Sequence, residues 1–440
     1  MTTPFAELEP LQPLMDACVH CGFCLPTCPS YLLLGQEMDS PRGRIFLMRA
    51  GLDERVAMTP PVVEHFDTCL GCMACETACP SGVRYAPLIE HTRAAIEHHH
   101  PRGLADRWFR RALFWLLPYP SRLRVVAVPL GLVQVIQRAP RLLSLLPSRL
   151  RGLIVLAPAR AVGGAVPAHT PARGEERLRV GLVTGCVQQV FFGDVNQSTV
   201  RVLAAEGCAV DAPTTQGCCG ALALHGGQDE DARRFARQLI AAFEGADVAQ
   251  IVVNAAGCGS TLKHYGDLLE DDPQWAARAQ AFAAKVRDLS ETLDGLAPTR
   301  VPRRALPLRV AYHDACHLAH AQGVRQEPRR LLAAIPGLTL VPLADAEICC
   351  GSAGIFNLVQ PDMAAELGRR KATHISAAAP DIVVTSNPGC LLQLQAAARA
   401  DGHTWQVVHI ATLIDDSMRE STAPAAIPSR GQEIRGEVSA

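Results

Sequence analysis

Two cysteine runs constrain this chain more than any other feature: Cys18-x2-Cys21-x2-Cys24-x3-Cys28-Pro29 and Cys69-x2-Cys72-x2-Cys75-x3-Cys79-Pro80. Thiolates are soft, strongly donating ligands that suit iron–sulfur clusters. Three cysteines at this spacing on a tight loop reach three corners of one cubane, and the fourth, ahead of a proline, turns away to the other cluster. The spacing therefore assigns Cys18, Cys21, Cys24 and Cys79 to one [4Fe–4S] cluster and Cys69, Cys72, Cys75 and Cys28 to a second. Zinc sites are often built from two separated Cys-x2-Cys pairs, which is not the pattern here. Between the runs, Ser40 is placed to cap a helix and Pro41 to occupy its first turn. Arg42 and Arg44 follow, either as charges beside a cluster or as solvated and capping arginines.

The second half of the chain repeats itself. LRVGLVTGC, ending at Cys186, matches LRVAYHDAC, ending at Cys316; GCCG (Cys218, Cys219) matches ICCG (Cys349, Cys350); IVVNAAGC (Cys258) matches IVVTSNPGC (Cys390). Near residue 286, VRDLSETLDG also resembles VVHIATLIDD in the other copy. Short β-branched runs such as LRVGLV read as buried parallel strands, and DEDARRFARQLIAAFEG and PDMAAELGRRKATHI read as helices. Strand–helix alternation implies an α/β sheet with right-handed crossovers. Cys186, Cys258, Cys316 and Cys390 each follow a strand, where ligands of open parallel sheets bind. Gly220 and Gly351 give each Cys-Cys pair the turn it needs to serve one site. Three readings of these cysteines stay open: a metal or cluster site, a thiol/disulfide redox site, and inert buried thiols. Repetition of all four positions favours metal. Cys208 has no counterpart and reads as a core residue. His313, His317 and His320 cluster beside the second set as candidate ligands, although each alone reads as a hydrogen-bonded structural histidine. His98, His99 and His100 suit the end of a helix, where the dipole favours positive charge.

These features divide the chain into residues 1–105, a cysteine-bearing helical unit; 106–177, a basic amphipathic connector ending in a flexible Gly/Pro/Ala-rich linker; 178–300 and 301–417, the two copies; and 418–440, a polar tail without order. Residues 101–160 carry eleven Arg and one acid, Asp106, interleaved with Trp108, Phe109, Phe114 and Trp115. Such a segment suits either a membrane interface or a surface that packs on an acidic partner subunit or on the chain's own domains. Pro118, Pro120, Pro129 and Pro140 exclude a long helix there. The apolar stretch from Val125 is bounded by Arg124 and Arg138 and is interrupted by Pro129, too short to cross a bilayer. A formal charge of −1 gives no electrostatic footprint for nucleic acid. No secretory signal is visible at the N-terminus, and 17 cysteines in a chain of 440 residues fit a reducing cytoplasm better than a disulfide framework. No G-x-G-x-x-G stands between a strand and a helix, so no flavin is expected on this chain.

CVHCGFCLPTCPSYLLLG, DSPRGRI, TCLGCMACETACPSGVRY, GCCGALALH and CCGSAGIFNL together resemble the glycolate oxidase (glycolate dehydrogenase) iron–sulfur subunit family. The resemblance covers nearly the whole chain apart from linker and tail. It implies an α-helical ferredoxin-like domain with two clusters, followed by two tandem α/β CCG (cysteine-rich) domains. It also implies electron transfer from FAD-containing dehydrogenase subunits toward a quinone-type acceptor, with D-lactate or glycerol-3-phosphate oxidation as neighbouring possibilities. Contact with the inner face of the cytoplasmic membrane would then be peripheral. The chain departs from the extended family pattern at Thr261 and Gln393, where a fifth cysteine often stands. Four thiolates per site still suffice for a further iron–sulfur cluster or a zinc ion.

Overall fold

The computed structural model describes residues 4–137, 139–158, 164–296 and 299–419. The tail expected to lack order lies, from residue 420 onward, outside the described residues, as do residues 159–163 of the expected linker.

The first hundred residues are helical. Ser40 caps the helix Pro41–Leu52 by accepting a hydrogen bond from the Gly43 amide at 3.0 Å, with Pro41 opening the first turn. The helices Pro60–Asp67 and Tyr85–His99 close over it. Phe5, Leu8, Met48, Phe66, Leu88 and Ile89, each fully buried, form the core of this unit. The cysteine loops lie directly on this core: Cys69 is part of it, and Cys18, Cys75 and Cys79 pack against it.

The repeats form two sheets. In the first, β1 (His169–Thr170), β2 (Leu178–Val183), β3 (Cys208–Asp211), β4 (Gln250–Val253) and β5 (Val286–Asp288) lie in the order β1-β3-β2-β4-β5. In the second, β6 (Arg309–Tyr312), β7 (Thr339–Val341), β8 (Ile382–Thr385) and β9 (Gln406–His409) lie in the order β7-β6-β8-β9. Without β1, both sheets are parallel and follow one order: second strand, first, third, fourth. The chain leaves the first strand in one direction and enters the third on the other side, so the crevice at their carboxyl ends is the topological switch point. Cys186 and Cys258 follow β2 and β4, and Cys316 and Cys390 follow β6 and β8. Topology alone thus delivers these cysteines to the two switch points.

β1 corrects the expectation of a flexible linker. Its two residues pair antiparallel with β3, and the Ala212 amide donates to the Ala168 carbonyl at 2.8 Å. The exposed edge of β3 offers backbone groups that need partners, and this stretch supplies them. The first sheet therefore begins before residue 178.

The two sheets share one core. Leu182, Leu203, Val210 and Leu293 of the first copy pack in one cluster with Val310, Leu332, Val384 and Leu413 of the second. The helix Gly193–Ala205 packs on Ile410–Met418, and Leu289–Gly295 packs on Glu327–Ala333. Each pair joins a helix that follows a first strand to one that follows a fourth strand of the other copy. Their ion pairs repeat this exchange: Arg201 with Asp415 at 2.6 Å and Arg330 with Asp294 at 2.6 Å.

The connector breaks into the helices Leu104–Leu116, Pro120–Ala127, Leu130–Gln137, Pro140–Ser144 and Ser148–Leu156. Arg102 and Arg110, both largely buried, pair with Asp67, Glu97 and Asp106, so part of its positive charge is spent on the cysteine-bearing unit. The last helix lies on the second copy, where Arg151 meets Asp362 at 3.2 Å and Arg399 donates to the Val155 carbonyl. Among the described residues, no helix is long and apolar enough to cross a membrane.

Candidate metal centres

The two N-terminal loops fold alike. His20 and Gly22 in the first, and Gly71 and Met73 in the second, take left-handed backbone conformations at matching places in the run. Two such residues coil each loop so that its three sulfurs face inward. The fourth cysteine of each run lies with the other loop. A cavity of about 300 Å³ is lined by Cys28, Cys69, Cys72 and Cys75 together with Arg44 and Tyr85. A second, of about 280 Å³, is lined by Cys18, Cys21, Cys24 and Cys79 together with Arg42.

Arg44 is fully buried beside the inner cavity and donates to Ser30 Oγ at 3.0 Å, Thr68 Oγ1 at 3.1 Å and the His65 carbonyl. Ser30 Oγ in turn lies 3.2 Å from Cys28 Sγ. Burial raises the Cys69 thiol, but the charges of Arg44 and Arg93 outweigh it and hold Cys69 below its usual value. Cys75 is pushed well above by burial and then by Cys72 and Cys69. The four sulfurs of the inner set share a buried pocket with Arg44, itself paired with the buried Asp39, while Arg93 lies close to Cys69, and soft sulfur donors gathered in this way suit an iron–sulfur core. Arg42, part-exposed, donates to the His20 carbonyl at 2.8 Å and to Glu37 at the outer cavity.

In the first repeat Cys186 Sγ lies 3.5 Å from Cys218 Sγ, and Cys219 Sγ lies 3.1 Å from Cys258 Sγ. These separations are far longer than a disulfide and near the roughly 3.7 Å between two thiolates on one tetrahedral ion. Hydrogen bonds to Cys186 and Cys219, then burial, hold the Cys218 thiol well above its usual range. Gly220 has φ +78° and Gly351 φ +93°; a Cβ on Gly351 would stand 2.6 Å from the Ala364 carbonyl oxygen. The turn after each Cys-Cys pair therefore needs glycine.

In the second repeat Cys316 Sγ lies 3.9 Å from Cys349 Sγ and 3.5 Å from His317 Nδ1. Cys350, Cys390 and His313 bring one donor atom each to within 4.8 Å of one another. His320 stands apart from this set: its ring bonds to Thr77 Oγ1 at 2.7 Å and the Glu347 carbonyl at 3.1 Å, which ties the repeat to the N-terminal unit. The inner N-terminal set adjoins the second repeat. Cys72 packs in one buried cluster with Cys316 and Cys349, and after burial Cys316 is the strongest influence raising its thiol.

Thr261 and Gln393 face away from metal chemistry. Thr261 Oγ1 bonds to the Gly257 carbonyl, and Gln393 spans Asn357 and the Ala364 carbonyl. Cys208 is fully buried in β3, its thiol pushed up to about 12 by burial. His98 and His99 end their helix and both meet Glu7.

Sequence reasoning missed His225 and Glu90. His225 Nδ1 lies 3.0 Å from Glu90 Oε1, and its ring centre lies 5.0 Å from that of His317. His225 therefore sits where the N-terminal unit and both repeats meet. Its only sequence signal is a histidine after GCCG where the other copy has Phe356.

Comparison with known proteins fits this arrangement. Residues 14–83 match the model of a 4Fe-4S dicluster domain, 180–263 and 310–395 each match that of a cysteine-rich CCG domain, and 105–153 match the linker region of glycolate oxidase iron-sulfur subunits. The chain is 37% identical over 419 residues to the probable glycolate oxidase iron-sulfur subunit of Bacillus subtilis, covering 92% of this chain and 94% of that one. It is 36% identical over 399 residues to the glycolate oxidase iron-sulfur subunit of Escherichia coli, covering 89% and 92%. Lactate utilization protein A of an Exiguobacterium species is 32% identical over 243 residues, covering 55% of this chain and 99% of that protein.

Proposed function

Since the chain belongs to the glycolate oxidase iron–sulfur subunit family, we propose that it takes electrons from FAD-containing subunits that oxidise glycolate to glyoxylate and passes them to a quinone-type acceptor. It is an iron–sulfur electron-transfer subunit of a hydroxy-acid dehydrogenase. In our reading Cys18, Cys21, Cys24 and Cys79 hold one [4Fe–4S] cluster, and Cys28, Cys69, Cys72 and Cys75 hold the other. Cys186, Cys218, Cys219 and Cys258, and Cys316, Cys349, Cys350 and Cys390, hold a further metal group in each CCG domain. Iron–sulfur clusters supply one-electron transfer; the chain's residues would fix where they stand and would keep water from the inner one, whose cysteines are buried or part-buried. The observation that carries the reading is that Cys72 shares one buried cluster with Cys316 and Cys349, which makes the inner N-terminal set a neighbour of the second repeat. A zinc scaffold would have no use for that adjacency. The lactate utilization relatives favour lactate as the second substrate reading.

The connector is the proposed docking face for the flavin subunit. Trp108, Trp115, Val125, Val128, Leu132 and Leu145 are all more than half exposed on it, amid arginines. A peripheral membrane contact would use the same residues. Free thiols throughout suit a reducing cytoplasm.

The test mixes the anaerobic, iron-loaded chain with its flavin subunits and glycolate. The visible absorbance of the chain should bleach only when both are present. Bleaching by glycolate without the flavin subunits, or none with them, overturns the proposal.

A further inference from the structure

The two CCG sites differ at one position that bears on ligation. β2 and β6 align residue for residue up to Cys186 and Cys316, which places Val183 of the first copy opposite His313 of the second. Val183 is 1% exposed and belongs to the apolar cluster around Cys186, Cys218 and Cys219. His313 is equally buried, at 1%; its Nδ1 has no well-formed hydrogen bond among the described residues, and its ring lies within reach of the Cys350 sulfur. A buried imidazole nitrogen left unpaired costs on the order of 1–3 kcal/mol, so such an atom calls for a partner. One ring nitrogen of His313 and the sulfurs of Cys350 and Cys390 lie within 4.8 Å of one another.

Backbone geometry holds the ring there. The His313 amide donates to the Val384 carbonyl at 2.8 Å, which extends the β6–β8 pairing by one residue and fixes the side chain at the mouth of the switch-point crevice. Asp314, next in sequence, turns away and is engaged by Arg329 at 2.7 Å on both oxygens. Asn387 donates to Cys390 Sγ at 3.5 Å from the other wall.

We propose that His313 is a nitrogen ligand of the metal group held by the second CCG domain, so that this site binds through thiolates and imidazole while the first binds through thiolates alone. This rests on the reading that the cysteines of the second repeat hold metal. Imidazole is an ordinary ligand for both iron and zinc, and replacing thiolate by imidazole at an iron–sulfur centre raises its potential. A neutral nitrogen in place of a fifth thiolate adds no negative charge beside Cys72. The family's usual fifth cysteine is replaced by Gln393, whose side chain is committed elsewhere, and His313 supplies a further donor from the opposite strand.

The test uses the full chain, expressed anaerobically with histidine ring nitrogens labelled with 15N. Pulsed EPR of the paramagnetic iron centres should show a strongly coupled histidine nitrogen; if the metal is zinc, its K-edge absorption should fit a shell of mixed nitrogen and sulfur. His313→Val, which installs the residue of the first repeat, should erase the nitrogen signature while the four cysteines retain metal. A sulfur-only shell in the wild-type protein, or a nitrogen signal unchanged in His313→Val, overturns the proposal. A second repeat without metal in the wild-type chain overturns the metal reading itself, and is told apart by metal content. The wild-type spectrum decides even if the variant fails to fold.

Discussion

The two repeats have the same strand order, the same four cysteines and one shared core, yet they present different chemistry. The crevice of the first is walled by Val183 and backed by aromatic packing around Phe235 and Tyr265. That of the second contains His313 and His317 and backs onto Cys72 of the N-terminal unit. The difference shows which parts of a duplicated domain are held by topology. The switch point is fixed by strand order, so cysteines placed at strand ends converge in both copies whatever surrounds them. The residues beside them are free to diverge, because the N-terminal unit meets the two copies differently: Glu90 bonds to His225 of the first, while Cys72 packs with Cys316 and Cys349 of the second. The second repeat is the one whose cysteines lie beside an N-terminal cysteine set, and the two repeats share one core.

The largest test of that asymmetry removes one crossing cysteine at a time. Cys28→Ala should empty the inner cavity of its cluster and leave the outer one, whereas Cys79→Ala should do the reverse. EPR of the reduced single variants assigns each loss. Only Cys28→Ala should uncouple the second repeat. If Cys28→Ala and Cys18→Ala lose the same cluster, the crossing assignment fails and the asymmetry loses its basis.

A smaller effect is expected from the arginines. Arg44 is fully buried beside Cys28 and Cys69 and pairs with the buried Asp39, while Arg42 beside the outer set is a quarter exposed and pairs with Glu37. Charge in a dry site acts on its neighbours far more than charge facing water. Arg44→Met should lower the midpoint potential of the inner cluster clearly, and Arg42→Met that of the outer cluster only slightly, in an EPR-monitored redox titration. Equal shifts would show that burial does not separate the two arginines.

Much of this was legible because it rests on local rules. The runs ending in Cys28-Pro29 and Cys79-Pro80, the cap at Ser40, the strand-end cysteines and the glycines after the Cys-Cys pairs each follow from spacing or backbone geometry. What stayed hidden depends on contacts distant in sequence. Residues 169–170 carry no strand signal of their own and become β1 because β3 has an unpaired edge. That Arg102 and Arg110 pack on the chain's own domains, rather than on a membrane or a partner, shows only when Asp67 and Glu97 are found beside them. His225 gains meaning only through Glu90 and His317, which lie far from it along the chain. The core common to both repeats is likewise invisible to periodicity, which reports that a face is buried and not against what.

The smallest expected effect concerns equivalent helix caps with opposite responses to pH. Asp288 caps Leu289–Gly295 by accepting from the Ser290 amide at 2.8 Å, and Glu291 closes the capping box. His409, at the matching place, caps Ile410–Met418: its Nδ1 accepts from the Ala411 amide at 3.1 Å and its Nε2–H donates to the Asn254 carbonyl. Burial raises the Asp288 carboxyl to about 6 and lowers the His409 imidazole to about 4. An unfolded Asp titrates near 3.9, so the folded protein binds this proton more tightly, and the stability Asp288 contributes falls as pH rises from about 4 to 6. An unfolded His titrates near 6.5, so the folded protein binds that proton less tightly, and the stability His409 contributes is present above about 6.5 and is lost as pH falls toward 4. Each swing is on the order of 3 kcal/mol, and in the wild-type chain the two oppose each other. Asparagine can cap in place of either residue without titrating. Asp288→Asn should therefore make stability climb more steeply between about pH 4 and 6, and His409→Asn should flatten or invert that climb. Denaturation midpoints measured across this range for the two variants give the slopes directly. Profiles that move in the same direction would show that the two caps are alike in environment as well as in position.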